Sequence, residues 1–207
     1  MADHLASRLD GTVTTAWDEL FAKRTEGMKS SVIRDLLKYT QRPDVISFAG
    51  GLPASEVFPI REFKEAAEFV LDEVGAQALQ YGPTDGYAPL KDFLVEKMQK
   101  YGVPAEPSNI LLTNGSQQAL DLISKLFVDP GDKILTESPT YLGALQAFNA
   151  YQPEYLTVPI DDDGIRVDLL EDTLAAHRVK FIYTMPNFQN PTGVTMSLER
   201  RMRLVEL

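Results

Sequence analysis

The sequence contains no cysteine and only two histidines, His4 and His177. The first absence excludes disulfides, thiolate metal sites and a cysteine nucleophile, and it fits a reducing cytoplasm. The second leaves little support for a histidine-based metal centre or a catalytic triad, because His4 stands in a polar N-terminal stretch and His177 follows a predicted helix. Basic residues are also in short supply, 20 against 30 acidic, and the net charge of -10 argues against nucleic acid or an anionic membrane as a partner. An anionic ligand therefore needs a local positive site. Met1 to Asp10 has no apolar core of the kind a secretory signal needs, and no run approaches the length of a bilayer span. The longest uncharged stretch, Ser138 to Pro153, holds Gln146, Asn149 and Gln152 and reads as a helix on the buried side of the fold.

What is present is 207 residues with 44% hydrophobic content, enough for one well-buried globular domain. Residues 14 to 40 give two helical patterns, the second starting near Ser30 and carrying Val32, Ile33, Leu36 and Leu37 at helical spacing. Pro43 ends it. Val45 to Phe48 is a short extended segment, followed by Ala49-Gly50-Gly51-Leu52-Pro53, a loop whose missing side chains let backbone approach a ligand. A helix is predicted over about Ile60 to Val74, and another runs to Tyr101 after the turn-rich Gln80 to Tyr87.

From there strand and helix alternate. Strands are predicted at Ile110 to Thr113, Lys133 to Thr136, Tyr155 to Pro159 and Lys180 to Thr184, with helices at Ser116 to Phe127, Tyr141 to Ala150 and Asp168 to Ala176, and a last helix from Ser197. This rhythm predicts an α/β fold, a mainly parallel sheet with helices on both faces, preceded by an N-terminal helical segment.

Ligands of open α/β sheets bind beyond the carboxyl ends of the strands, and three loops there carry unusual polar groups. In Thr113-Asn114-Gly115-Ser116-Gln117-Gln118, Gly115 permits a tight turn and Ser116 caps a helix whose free N–H groups suit a phosphate; a plain N-cap is the competing explanation. Glu137-Ser138-Pro139-Thr140-Tyr141 brings a ring able to stack on a flat heterocycle, or simply to pack. Met185 to Gly193 concentrates Asn187, Gln189 and Asn190, amides suited either to a ligand or to a structural turn. Together they suit a phosphorylated aromatic cofactor. Neither a P-loop nor a Gly-x-Gly-x-x-Gly dinucleotide motif occurs.

In order and spacing, Gln80 to Tyr87, Gly115 to Leu120, Glu137 to Tyr141 and Phe188-Gln189-Asn190-Pro191-Thr192-Gly193 resemble class I/II aminotransferases of pyridoxal-phosphate fold type I. The likeness is greatest to the 2-aminoadipate and kynurenine aminotransferase branch, whose N-terminal signature is matched by Ser31 to Leu37 and Ser47 to Pro53. The resemblance implies an aminotransferase acting through pyridoxal 5'-phosphate on an amino acid and a 2-oxo acid, as a cytoplasmic homodimer. It implies an N-terminal arm and part of a small domain over residues 1–60, and an incomplete cofactor-binding large domain over 61–207. Gly115, Ser116 and Gln117 would hold the phosphate, Tyr141 would stack on the pyridine ring, and Asn190 would hydrogen-bond its 3-hydroxyl oxygen. Tyr81 would reach the phosphate of the partner subunit, Gly51 would lie beside the substrate carboxylate, and Arg34 near the substrate side chain.

The family's Schiff-base lysine, its aspartate on the pyridine nitrogen and its carboxylate-clamping arginine are expected beyond Leu207, so the chain alone is expected to be inactive. No Ser-x-Ser-Lys occurs, and Lys125, although it follows Ser124, falls inside a helix and reads as a surface residue. Two non-catalytic alternatives stand beside this reading. One is a regulator fused to a DNA-binding module, disfavoured by the acidic charge and by the roughly thirty residues that precede the family-like region. The other is a degenerate dimerisation scaffold, disfavoured by the intact Tyr81, Tyr141 and Asn190.

Overall fold

The computed structural model describes residues 20–28, 44–46 and 53–207. The two N-terminal helical patterns fall mostly outside these residues, and Arg34 and Gly51 fall wholly outside them. The described residues form two compact units, one of residues 44–46 and 53–115 and one of residues 116–207 with 20–28.

In the first unit, helix α1 spans Ile60–Ala78, longer than the sequence suggests, with a break at Val74 (φ -139°, ψ 25°) next to Gly75. Pairs four residues apart, Arg61 with Glu65 at 3.0 Å and Lys64 with Glu68 at 3.7 Å, line its exposed face. Helix α2 spans Ala88–Lys100, with Pro89 in its first turn and two lysines, Lys97 and Lys100, in its last, where a cation meets the negative end of the helix. Lys91 of α2, 6% exposed, donates to Asp85 in the turn before that helix. That ammonium holds the Asp85 carboxyl below the usual carboxylate range.

One predicted strand is corrected. Ile110 is extended (φ -114°, ψ 125°), yet Ile110 to Thr113 enters no sheet. A strand exists only through pairing, and the Leu112 N–H here donates to the Asp85 carbonyl at 3.1 Å, in a turn and not in a ladder.

The second unit contains the sheet. Helix α3 is Gly115–Phe127, β1 is Lys133–Ser138, α4 is Leu142–Asn149, β2 is Glu154–Asp161, β3 is Gly164–Ile165, α5 is Val167–Ala176, β4 is Ile182–Tyr183 and α6 is Leu198–Glu206. The order across the sheet is β3-β2-β1-β4, with β1 parallel to both β2 and β4 and only the hairpin strand β3 antiparallel. The mainly parallel α/β sheet is thus present, with β3 in place of the expected strand at 110–113.

Strand β1 lies in the middle and alternates between two cores. Ile134 joins Val128, Ala144, Ala147 and Phe148 on one face, while its neighbour Leu135 joins Val158, Ile165, Leu170 and Met196 on the other. Burial on both faces is what a parallel strand rich in apolar residues demands. The predicted helix in the uncharged stretch is α4, which buries Ala144, Ala147 and Phe148. Phe148 meets the rings of Phe181 and Tyr183 edge-on, both at 5.5 Å, and so supports β4 from below. Helix α6 starts as predicted, with the Ser197 hydroxyl accepting from the Arg200 N–H at 3.5 Å. Among the described residues no helix is long and apolar enough to cross a membrane.

Candidate active site

The carboxyl ends of β1 and β4 open into a cavity of about 420 Å³ in the second unit. Helix α3 supplies one wall through Ser116, Leu120 and Ile123, positions spaced three to four residues apart and hence on one helix face. The opposite side carries Tyr141, Tyr183, Met185 and Asn190. Three of the residues singled out in the sequence, Ser116, Tyr141 and Asn190, therefore share one cavity.

Each is placed by local chemistry. Gly115 takes φ +73° at the start of α3, its N–H bonded to the Thr113 carbonyl at 2.9 Å, so the 13-residue helix begins at once and Ser116 sits in its first turn. The N–H groups of that turn have no acceptor within the helix and carry its positive end, a local positive site of the kind an anionic ligand needs in an acidic chain. The side chain of Gln117 is already engaged, donating to the Gly143 carbonyl at 2.9 Å. That bond takes one of the two amide N–H donors and restrains the side chain from free rotation, so the backbone N–H is the donor placed by the helix turn itself. The same bond ties the start of α3 to the start of α4.

Tyr141 is the N-cap residue of α4, half-buried, and its ring lies over Gly143. Tyr183 next to it has its phenol pushed up, first by burial and then by the neighbouring Tyr141 and Glu137. It remains a neutral hydroxyl at ordinary pH.

The amide-rich loop divides its work. Asn187 accepts from Arg201 at 2.7 Å. Gln189 is buried, 3% exposed, and donates to Glu137 at 3.0 Å and to the Pro139 carbonyl at 2.8 Å. Asn190 alone of the three lines the cavity, exposed and without a hydrogen-bond partner among the described residues. The loop's composition alone does not separate the three amides, whereas the family resemblance singles out Asn190; neither gives a role to Glu137 or Tyr183. Glu137 could have been suspected as an acidic side chain close behind the apolar Ile134 and Leu135 of the same strand.

Tyr81 belongs to the first unit, on the turn after α1, with its ring 99% exposed and its N–H bonded to the Gln80 side chain at 2.8 Å. It borders a separate hollow of about 460 Å³ with Val70, Val74 and Tyr87. Lys125 is exposed on α3 while Ser124 beside it is buried, as the helix reading implied. Among the described residues no cluster of potential metal ligands occurs.

A helix N-terminus, an aromatic wall and a free carboxamide at the carboxyl edge of a doubly covered, mainly parallel sheet define part of a pyridoxal-phosphate fold type I domain. The chain belongs to the class I and II aminotransferase family, whose model matches residues 43–207. It is 50% identical over 200 residues to aromatic-amino-acid aminotransferase 1 of Thermococcus litoralis, covering 94% of this chain and 48% of that protein. The structure of LysN, the α-aminoadipate aminotransferase of Thermus thermophilus, solved with N-(5'-phosphopyridoxyl)-L-leucine, superimposes with a TM-score of 0.82 at 47% identity, covering 93% of this chain and 47% of that one. The kynurenine aminotransferase of Pyrococcus horikoshii, solved with PMP, gives 0.87 at 42% identity, with 94% and 50% covered. The chain spans about half the length of the curated relatives it matches.

Proposed function

We propose that this chain supplies the cofactor-binding wall of an aminotransferase that moves an amino group from an amino acid to a 2-oxo acid through pyridoxal 5'-phosphate. The observation that carries this reading is the single cavity shared by Ser116, Tyr141 and Asn190. Its residues fit the cofactor: a first helical turn for the phosphate, a ring for the pyridine face, and an unpaired amide for the phenolic oxygen.

The backbone N–H groups of Ser116 and Gln117, at the turn made by Gly115, hold the phosphate. Tyr141 covers one face of the ring and keeps water from it, and the Asn190 amide donates to the 3-hydroxyl oxygen, fixing the ring's rotation. Tyr81 reaches the phosphate of a partner subunit in a homodimer. Gly51 and Arg34 approach the substrate's carboxylate and side chain. When bound, the cofactor supplies an aldehyde that condenses with amino groups and a ring that accepts the electron pair released at the substrate's α-carbon. The transfer reaction is proposed for the whole protein, in the cytoplasm that the cysteine-free composition suits; the chain alone is proposed to bind cofactor without turning it over.

Pyridoxamine 5'-phosphate tests the binding step directly, because it needs no lysine. Calorimetric titration of the chain should show binding that pyridoxamine without the phosphate does not match, and Asn190→Ala should weaken it about tenfold. Equal affinity for the two ligands would sink the reading.

A further inference from the structure

The loops that carry Tyr141 and Asn190 are joined by a buried polar pair, Glu137 and Gln189, to which the function proposed above assigns no role. Glu137, near the end of β1, is 2% exposed. Its carboxylate accepts from the Thr184 hydroxyl, from the Met185 N–H at 3.3 Å to each oxygen, and from the Gln189 amide at 3.0 Å. All three donors belong to the segment that follows β4. Gln189 in turn donates to the carbonyl of Pro139, two residues before Tyr141. Its oxygen accepts from the Thr192 N–H at 3.0 Å and hydroxyl at 2.8 Å, two residues past Asn190.

These bonds saturate the Gln189 carboxamide, both of whose N–H groups and both of whose lone-pair sites are engaged within the protein. Asn190 is thereby left as the amide facing the cavity. The bracket is also specific to a carboxylate at position 137. An amide there would set its NH₂ group against the N–H of Met185 or the NH₂ of Gln189, and a buried donor facing a donor is costly. A buried charge that accepts from three donors on one neighbouring loop holds that loop at a fixed distance from its own strand.

We infer that Glu137 and Gln189 are positioning residues for cofactor binding, setting the spacing between the Tyr141 ring and the Asn190 carboxamide. Affinity for a phosphorylated pyridine then depends on Glu137 by way of Asn190. The inference rests on the cofactor reading above and adds to it where the discrimination is built, in a buried pair that touches no ligand.

A double-mutant cycle separates positioning from general stability. Binding of pyridoxamine 5'-phosphate is titrated for the chain as it stands and for Glu137→Gln, Asn190→Ala and the two combined, with far-UV circular dichroism on each. Glu137→Gln should weaken binding about tenfold when Asn190 is present and less than about twofold when it is alanine. An equal loss in both backgrounds, or no loss in either, overturns the bracket. If Glu137→Gln does not fold, Thr184→Val removes one donor and no charge; its loss, about threefold, should again vanish in the Asn190→Ala background, and persistence there would overturn the inference. Failure of the cofactor reading has a different signature: the unmodified chain would bind pyridoxamine with and without phosphate equally, and Asn190→Ala would change nothing. That result overturns both.

Discussion

Gly143 leaves the space that the Tyr141 ring occupies: a Cβ added at Gly143 would stand 2.5 Å from both the Cζ and the hydroxyl oxygen of that ring. The contact is with the far end of a movable side chain, so Gly143→Ala swings the ring aside and leaves the backbone where it is. Alanine is also the better helix former, by roughly 0.5–1 kcal/mol. The expected outcome is a chain at least as stable to heat as the original but weaker for pyridoxamine 5'-phosphate by about tenfold, because one face of the ligand ring loses its cover. Undiminished affinity in a titration would show that Tyr141 is not the stacking ring.

Phe148 supports the cavity from the core beneath it, where both Tyr141 and Tyr183 pack. It is 1% exposed and meets Phe181 and Tyr183 edge-on, so truncation removes the packing beneath β4 as well as its own buried area. Phe148→Ala should cost about 3–5 kcal/mol in urea unfolding. Phe148→Leu, which keeps most of the volume, should cost less than half of that. Similar losses for the two variants would mean that ring volume is not what this core requires.

Much of this architecture is legible in the sequence because it follows from local pattern. Strands β1 and β2 announce themselves by apolar runs between turn residues, and α6 by Ser197 ahead of a charged, amphipathic stretch. What fails to show is whatever depends on a distant partner. Ile110 to Thr113 has strand composition, but composition does not provide a neighbour to pair with, and among the described residues it finds a turn carbonyl instead. Strand β3 escapes notice for the opposite reason: two residues give no period to detect. The site divides in the same way. Ser116, Tyr141 and Asn190 stand in ordered motifs, whereas the roles of Gln189 and Glu137 arise only when β1 and β4 lie side by side.

The hairpin that carries β3 makes a third prediction. Gly164 has φ +100°, a region that side chains rarely adopt, and a Cβ there would come within 3.0 Å of the Met196 Cα. Neither problem can be relieved by a rotamer change, since one is backbone strain and the other a contact with backbone. Gly164→Ala should destabilise by about 1–3 kcal/mol. Loss of protection in hydrogen exchange should be concentrated in β3 and α6, because Ser197 N–H bonds to the Asp163 carbonyl at 3.1 Å in the same turn. Uniform loss over the whole sheet would argue that the hairpin does not anchor the last helix.

Acid sensitivity should centre on two arginine–aspartate pairs of the same region. Arg200 holds Asp161 through both terminal guanidinium nitrogens, and Arg166 holds Asp168 through Nε, at 2.8 Å, and one terminal nitrogen. The Arg200 hydrogen bond keeps the Asp161 carboxyl below the ordinary 3.8, and the Arg166 hydrogen bond brings Asp168 to about 2. A carboxyl whose folded pKa is lowered contributes stability that is complete above the unfolded value and lost as pH falls through the folded one. Thermal midpoints should therefore fall between about pH 4 and pH 2 more steeply in the original chain than in either arginine-to-glutamine variant. The two variants should then part. Arg166→Gln should approach the original curve only as pH falls through about 2, where the Asp168 carboxyl that Arg166 holds becomes protonated. Arg200→Gln should stay below it, because Arg200 also donates to the carbonyls of Gly164 at 2.8 Å and Ile165 at 3.2 Å, which do not titrate. Parallel curves for both variants across this range would show that neither pair is coupled to folding.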